Sequence, residues 1–152
     1  MNTTDIYNIL WTDETTSGYV SAVIPCRALR YLRGDRNETC YFVNSDKHCS
    51  DLHCNIIGHW IVIVIHPESS VLEVFDSRGL VTYNSDIKTF MKQFDTYVNN
   101  TKFFSLNNCG FYCLLYAYYR SRKYSVNAVL TKLKNISNVK SECYRLYETT
   151  QI

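Results

Sequence analysis

This sequence lacks several common features, and each absence removes a class of protein. No run of about 18 apolar residues occurs, so a membrane-spanning helix is not expected. The opening stretch MNTTDIYNILWTDETT has no basic segment followed by an uninterrupted apolar one, so a secretory signal is not expected either. No repeat, low-complexity tract or linker breaks the 152 residues, which leads us to expect one domain over residues 1–152. Hydrophobic residues make up 46% of the chain, enough for a packed core and too many for disorder.

Against those absences, seven cysteines stand out: Cys26, Cys40, Cys49, Cys54, Cys109, Cys113 and Cys143. An odd number without a secretion signal points to reduced thiols in an intracellular setting. There the sequons such as Asn37-Glu38-Thr39 carry no meaning. Thirteen tyrosines supply amphipathic bulk for a small core or a binding surface. The net charge of +2 hides an uneven split. Residues 1–100 carry 8 basic and 12 acidic side chains, whereas residues 101–152 carry 8 and 2. The C-terminal excess includes Arg120, Arg122, Lys123, Lys132 and Lys134. It suits either a face for a polyanion such as DNA or an ordinary solvated helical surface.

Local patterns outline the elements. TTDIYNILW suits a short helix with a Thr or Asp cap, and PCRALRYLR a helix with Pro25 in its first turn. CYFVN, HWIVIVI and VLEVFD read as strands, the last two joined by the turn PESS. Ile87, Phe90, Met91, Phe94 and Val98 make a helical stripe over SDIKTFMKQFDTYV, and TKFFSL reads as a further strand. CGFYCLLYAYYRSRKY is apolar on nearly all sides at its start, as in a helix at the centre of a domain. Two more helices follow in SVNAVLTKLKNI, with Ser125 as N-cap, and VKSECYRLYE. The order predicts an α+β fold, a mixed central sheet packed against helices, over a doubly wound one.

Three polar residues sit where this scheme does not need them. Cys109 opens the most buried helix, whose N-terminus favours a thiolate, and its own N–H could meet a developing oxyanion. Gly110 beside it leaves room for a substrate carbonyl. His59 opens one strand and Asp76 ends the next, so the reversal at HPESS brings them to the same edge of the sheet. An imidazole is what a cysteine nucleophile needs as proton acceptor, and a carboxylate orients the imidazole. Trp60 is placed to pack over the site. Singly, each residue has a plain explanation: a filler thiol, a surface histidine, an aspartate capping the turn DSRG.

The order His59, Asp76, Cys109, with GHW, VFDSRG and CGFYC around them, resembles the adenovirus-type (adenain-like) cysteine proteases of adenovirus-related viruses and virus-like transposons. The SUMO-specific proteases are distant relatives. Asn44-Ser45-Asp46 stands where that family has Asn-Thr-Asp, and Cys109, Gly110, Tyr112 and Cys113 match its helix start. The likeness runs from about residue 18 to about residue 135. It implies a Cys-His-Asp thiol protease that cleaves virion precursor proteins during maturation. It also implies activation by DNA or a peptide with no cofactor required, and a location in the host nucleus or the virion. A monomer with no membrane contact is expected.

Two departures from the family pattern matter. The family's oxyanion glutamine, seven residues before the cysteine, is replaced by Lys102. Lys102, Asn107 or Asn108 could take its part beside the Cys109 N–H, or the enzyme is slow or silent. The loop between CYFVN and GHW is long and holds Cys40, His48, Cys49, His53 and Cys54. That set suits a zinc site of no standard spacing, a redox disulfide or an accidental cluster, and no metal is assigned to it. Two rival functions stand beside the protease: a ubiquitin-like-protein deconjugase, and a silent nucleic-acid- or zinc-binding protein on a protease-derived scaffold.

Overall fold

In the computed structural model, which describes residues 1–32, 37–46, 58–79, 83–103 and 108–148, the chain opens with helices α1 (Thr3–Leu10) and α2 (Glu14–Tyr19) and strand β1 (Val20–Pro25). A 3₁₀ helix, Cys26–Tyr31, precedes strands β2 (Thr39–Asn44), β3 (Trp60–His66) and β4 (Val71–Phe75). Helix α3 (Ser85–Met91) and strand β5 (Asp95–Val98) follow, then helices α4 (Cys109–Ser121), α5 (Val126–Lys134) and α6 (Val139–Leu146).

The strands form one sheet in the order β1-β2-β3-β4-β5. The inner pairs are antiparallel, and the outer pairs, β1 with β2 and β4 with β5, are parallel. Central strand β3 is buried on both faces. Trp60, Val62 and Val64 point into one core, Ile61 and Ile63 into the other. Two-sided burial is the reason its sequence is an unbroken apolar run rather than an alternation.

Helix α4 crosses the first face, buried from Gly110 to Ala117. Leu114 and Leu115 are fully buried there, each contributing about 2 kcal/mol of transfer free energy. Phe75 of β4 stacks on Tyr116 with ring centroids 4.3 Å apart. Helices α1, α2, α5 and α6 pack around α4, while α3 and the 3₁₀ helix cover the opposite face. The α+β architecture expected from the sequence is the one observed.

The local readings fare unevenly. Ser125 caps α5, its hydroxyl accepting the Ala128 N–H at 3.2 Å. Helix α1 is capped by Asn2 in a capping box with Asp5, not by a Thr or Asp cap. Within PCRALRYLR, Cys26–Tyr31 form a 3₁₀ helix, with Pro25 as the last residue of β1 and Arg33 outside the described residues. The helix expected over residues 85–98 stops at Met91, and Asp95–Val98 becomes strand β5. Thr96, Tyr97 and Val98 favour extended backbone, and the open edge of β4 supplies the partner. The Asp95 N–H donates to Ser70 O at 3.0 Å, tying the new strand to the β3–β4 turn. Residues 101–103 of TKFFSL are not a strand, and 104–106 lie outside the described residues.

Candidate active site

The hairpin register pairs Val62 with Phe75, so the residue before β3 and the residue after β4 meet at one end of the sheet. There His59 Nε2 lies 2.6 Å from Asp76 Oδ1. The Cys109 thiol interacts with the same imidazole. Cys109 is the first residue of α4, and its Sγ lies 3.9 Å from Gly58 O. The structure thus brings His59, Asp76 and Cys109 together.

The stretch Asn44-Ser45-Asp46 holds His59 from behind. The Ser45 N–H and hydroxyl both donate to His59 O, at 2.8 and 3.0 Å. Asn44 Oδ1 accepts the Asp46 N–H at 2.9 Å and sits so close to Gly58 that a Cβ there would lie 2.2 Å away. Only glycine permits that approach.

Asp76 is fully buried and heavily bonded. The Arg78 N–H donates to Oδ1 at 2.9 Å, and the Arg78 guanidinium reaches Oδ2 at 3.1 Å. The Tyr83 hydroxyl donates to Oδ2 at 2.9 Å. The Gly79 N–H donates to Asp76 O at 2.9 Å, and Gly79 has φ +77°, which a side chain would disfavour. Asp76 therefore caps the DSRG turn and orients His59 at once; the two readings of its sequence position are compatible.

Electrostatics follow from this packing. Burial pushes the Cys109 thiol up, but the His59 hydrogen bond, backbone hydrogen bonds at Trp60 and Gly110, and the imidazolium charge bring it below the ordinary thiol value. Burial pulls His59 down, and its bonds to Asp76 and Cys109 more than offset that, so it ends above the usual imidazole value. For Asp76 burial raises, while His59 and Arg78 lower, and the net is downward. The arrangement favours a thiolate–imidazolium pair oriented by a carboxylate, the ground state of a nucleophilic cysteine.

Trp60 is buried, and its Nε1 donates to Met1 O at 2.8 Å. Gly110 does not open toward a substrate: Met1 Sδ lies 2.5 Å from where its Cβ would be, with Ile6 behind. Asn108 precedes α4 without a side-chain cap bond, which leaves its amide uncommitted to the helix end. Lys102 is exposed, and its backbone N lies 3.6 Å from the position of a Gly79 Cβ, so it follows the rim beside Arg78 and Gly79. Asn107 lies outside the described residues.

The remaining candidates divide. Cys40 is fully buried at the start of β2, the end away from the long loop, and its thiol is pushed far up by burial. It belongs to the core and not to a metal site on that loop. His48, Cys49, His53 and Cys54 lie outside the described residues, and no metal-binding cluster occurs among those that are described. Arg120 is bound to buried Glu73 at 2.7 Å and Arg122 to Asp13 at 2.9 Å, so neither offers an unmatched charge to a phosphate. Lys123, Lys132 and Lys134 are exposed.

Sequence reasoning missed three residues around Asp76. Arg78 carried a signal, two positions after the aspartate in DSRG. Tyr83 carried none, and neither did Asn99, which lay next to a misread helix.

No protein-family model and no curated protein matches the sequence. Solved structures do match. One structure of the ASFV pS273R protease aligns over 97% of this chain and 68% of its own, with TM-score 0.55 and 14% identity. Another aligns over 80% of this chain and 46% of its own, with TM-score 0.50 and 17% identity. ChlaDub1 from Chlamydia trachomatis aligns over 97% and 78%, with TM-score 0.49 and 11% identity. The chain has the fold of the ASFV pS273R protease. In one of the two protease structures it spans under half of the matched chain's length. Among the described residues, no helix is long and apolar enough to cross a membrane.

Proposed function

We propose that this protein is a cysteine endopeptidase in which Cys109 is the nucleophile, His59 the proton carrier and Asp76 the orienting carboxylate. The observation that carries the reading is the contact of the Cys109 thiol, at the start of a buried helix, with an imidazole held 2.6 Å from a buried carboxylate. The Cys109 thiolate attacks the scissile carbonyl carbon, and the oxygen takes up the negative charge. The Cys109 N–H, Asn108 and Lys102 are the proposed donors to that oxygen. The imidazolium protonates the leaving amine as the C–N bond breaks, and a thioester remains. Water gives a proton to His59 and attacks the thioester; the C–S bond breaks, and the acid product leaves with the thiolate restored. This sequence of steps requires no cofactor.

A viral setting and virion precursor substrates are the finer part of the proposal, supported by the family resemblance of the motifs and by the shared fold. DNA, held by Lys123, Lys132 and Lys134, is the proposed activator. The test is alkylation of Cys109 across pH, read by mass spectrometry in the wild type and His59→Ala with the other thiols as internal controls. Fast labelling at about pH 6 that disappears in the variant is expected of an imidazole-held thiolate. Labelling no faster than at the buried thiols, with and without DNA, would leave a binding protein on a protease scaffold. Cleavage of a ubiquitin-like fusion but not of precursor proteins would move the substrate to a deconjugase's.

A further inference from the structure

Asn99 follows β5 and is 1% exposed. Its Oδ1 accepts the Asp76 N–H at 2.8 Å, and its Nδ2 donates to Asp76 O at 2.8 Å and to Thr101 O at 2.9 Å. The β4–β5 ladder ends at the pair Val74–Val98. The Asn99 side chain, which carries the same donor and acceptor as a peptide group, supplies one more rung and gives it to Asp76. Its second donor reaches Thr101, next to Lys102. The Phe103 N–H closes the same seam from the far side, donating to Ser77 O at 2.7 Å. Residues 99–103 are thereby stitched to residues 76 and 77, whereas the carboxylate of Asp76 is left to His59, Arg78 and Tyr83.

We propose that Asn99 is a positioning residue for the cysteine nucleophile's machinery: one buried amide fixes the backbone of Asp76 and, through Thr101, the segment that carries Lys102. The inference rests on the Cys-His-Asp reading above. Asn99 acts through Asp76 and not on substrate. An amide is required at this place because two of its three bonds are donations to carbonyl oxygens, which a carboxylate cannot make. An alanine or leucine would leave the buried Asp76 N–H unpaired and its C=O with the Gly79 N–H alone.

The test uses the full chain. Asn99→Asp is nearly isosteric, keeps the acceptor for the Asp76 N–H and loses both donations. Asn99→Ser removes the clamp without adding a buried charge, and it decides the question if Asn99→Asp does not fold. Ser125→Ala, which loses a helix cap away from the site, serves as a control for stability alone. Cys109 alkylation against pH and the melting temperature are measured for each, together with His59→Ala. Both Asn99 variants are expected to label Cys109 about tenfold or more slowly at mildly acid pH, the scale of a misplaced catalytic group. Their pH midpoint should move up toward that of an ordinary thiol, while Ser125→Ala melts lower with an unchanged profile. If the Asn99 variants melt lower but keep the wild-type Cys109 profile, Asn99 is only part of the sheet and the proposal is overturned. If wild-type Cys109 is not poised and His59→Ala changes nothing, the Cys-His-Asp reading itself falls, an outcome distinguishable from the first.

Discussion

Two histidines stand at opposite ends of strand β3, His59 just before it and His66 its last residue, about 23 Å apart, each bonded to a buried carboxylate. At one end His59 meets Asp76 at 2.6 Å, and the Cys109 thiol interacts with the same imidazole. At the other end His66 Nε2 meets Glu73 at 3.0 Å, and its Nδ1 meets a second carboxylate, Glu38, at 3.1 Å. Both carboxylates have an arginine, but differently. Arg120 is 13% exposed and grips Glu73 through two nitrogens, at 2.7 and 2.9 Å, with the Tyr116 hydroxyl on the same carboxylate. Arg78 is 42% exposed and leaves Asp76 Oδ1 shared with His59. A carboxylate satisfied by a permanent buried cation holds helix α4 to the sheet. A carboxylate that shares one oxygen with a titratable ring, beside a half-exposed cation, can support movement of a proton. The difference lies in the third partner and not in the His–carboxylate pair.

The sharpest way to break this comparison is to remove each histidine. His59→Ala should lower peptide turnover by about 10⁴-fold, near the upper scale of acid–base catalysis, with little change in melting temperature. His66→Ala should leave Cys109 alkylation unchanged; a matching loss there would erase the distinction between the two ends. Next in size, Arg120→Ala removes the permanent cation from the buried Glu73 carboxylate and leaves it to His66 and the Tyr116 hydroxyl. It should destabilise the fold by about 3–5 kcal/mol in urea titration while the Cys109 pH profile of the folded protein stays put. Glu73 and Asp76 are both held below the usual carboxylate value. Their contributions are therefore full above the unfolded-state value and are lost as pH falls through the lower folded-state values. Melting temperature should drop below about pH 4, and less steeply in Glu73→Gln.

Smaller effects sharpen the active-site end. Lys102→Ala should reduce kcat/KM by up to about 3 kcal/mol of transition-state stabilisation without slowing alkylation, because no oxyanion forms in that reaction. Unchanged turnover would remove Lys102 from the mechanism. Arg78→Ala should cost about 1 kcal/mol or less, since its guanidinium is half in water, against the much larger loss at Arg120.

The hairpin that carries His59 and Asp76 was legible because an apolar β-branched run, a turn and a second such run define register almost alone. Cys109 was legible because an all-round apolar helix has only one place to go. The seam around Asp76 was not. Phe94 and Val98 continue the helical spacing of Ile87 and Phe90, so the boundary after Met91 and the strand beyond it were hidden. Asn99 was hidden with them, because a lone asparagine has no pattern until its neighbours in space are known. The basic C-terminal third misled in the same manner: Arg120 and Arg122 count as surface charge in a sequence, and Glu73 and Asp13 neutralise them in the fold.

From residues alone came the α+β class, the central helix and the three candidate side chain types, since periodicity and residue chemistry are local properties. Tertiary structure alone decided which cations remain open to a polyanion, that Cys40 belongs to the core, that Gly110 faces Met1, and that Asn99 extends the ladder to Asp76. Each of these is set by which groups meet across the sheet, between residues far apart in the chain. Burial then determines whether such a meeting holds the fold together or poises a thiol.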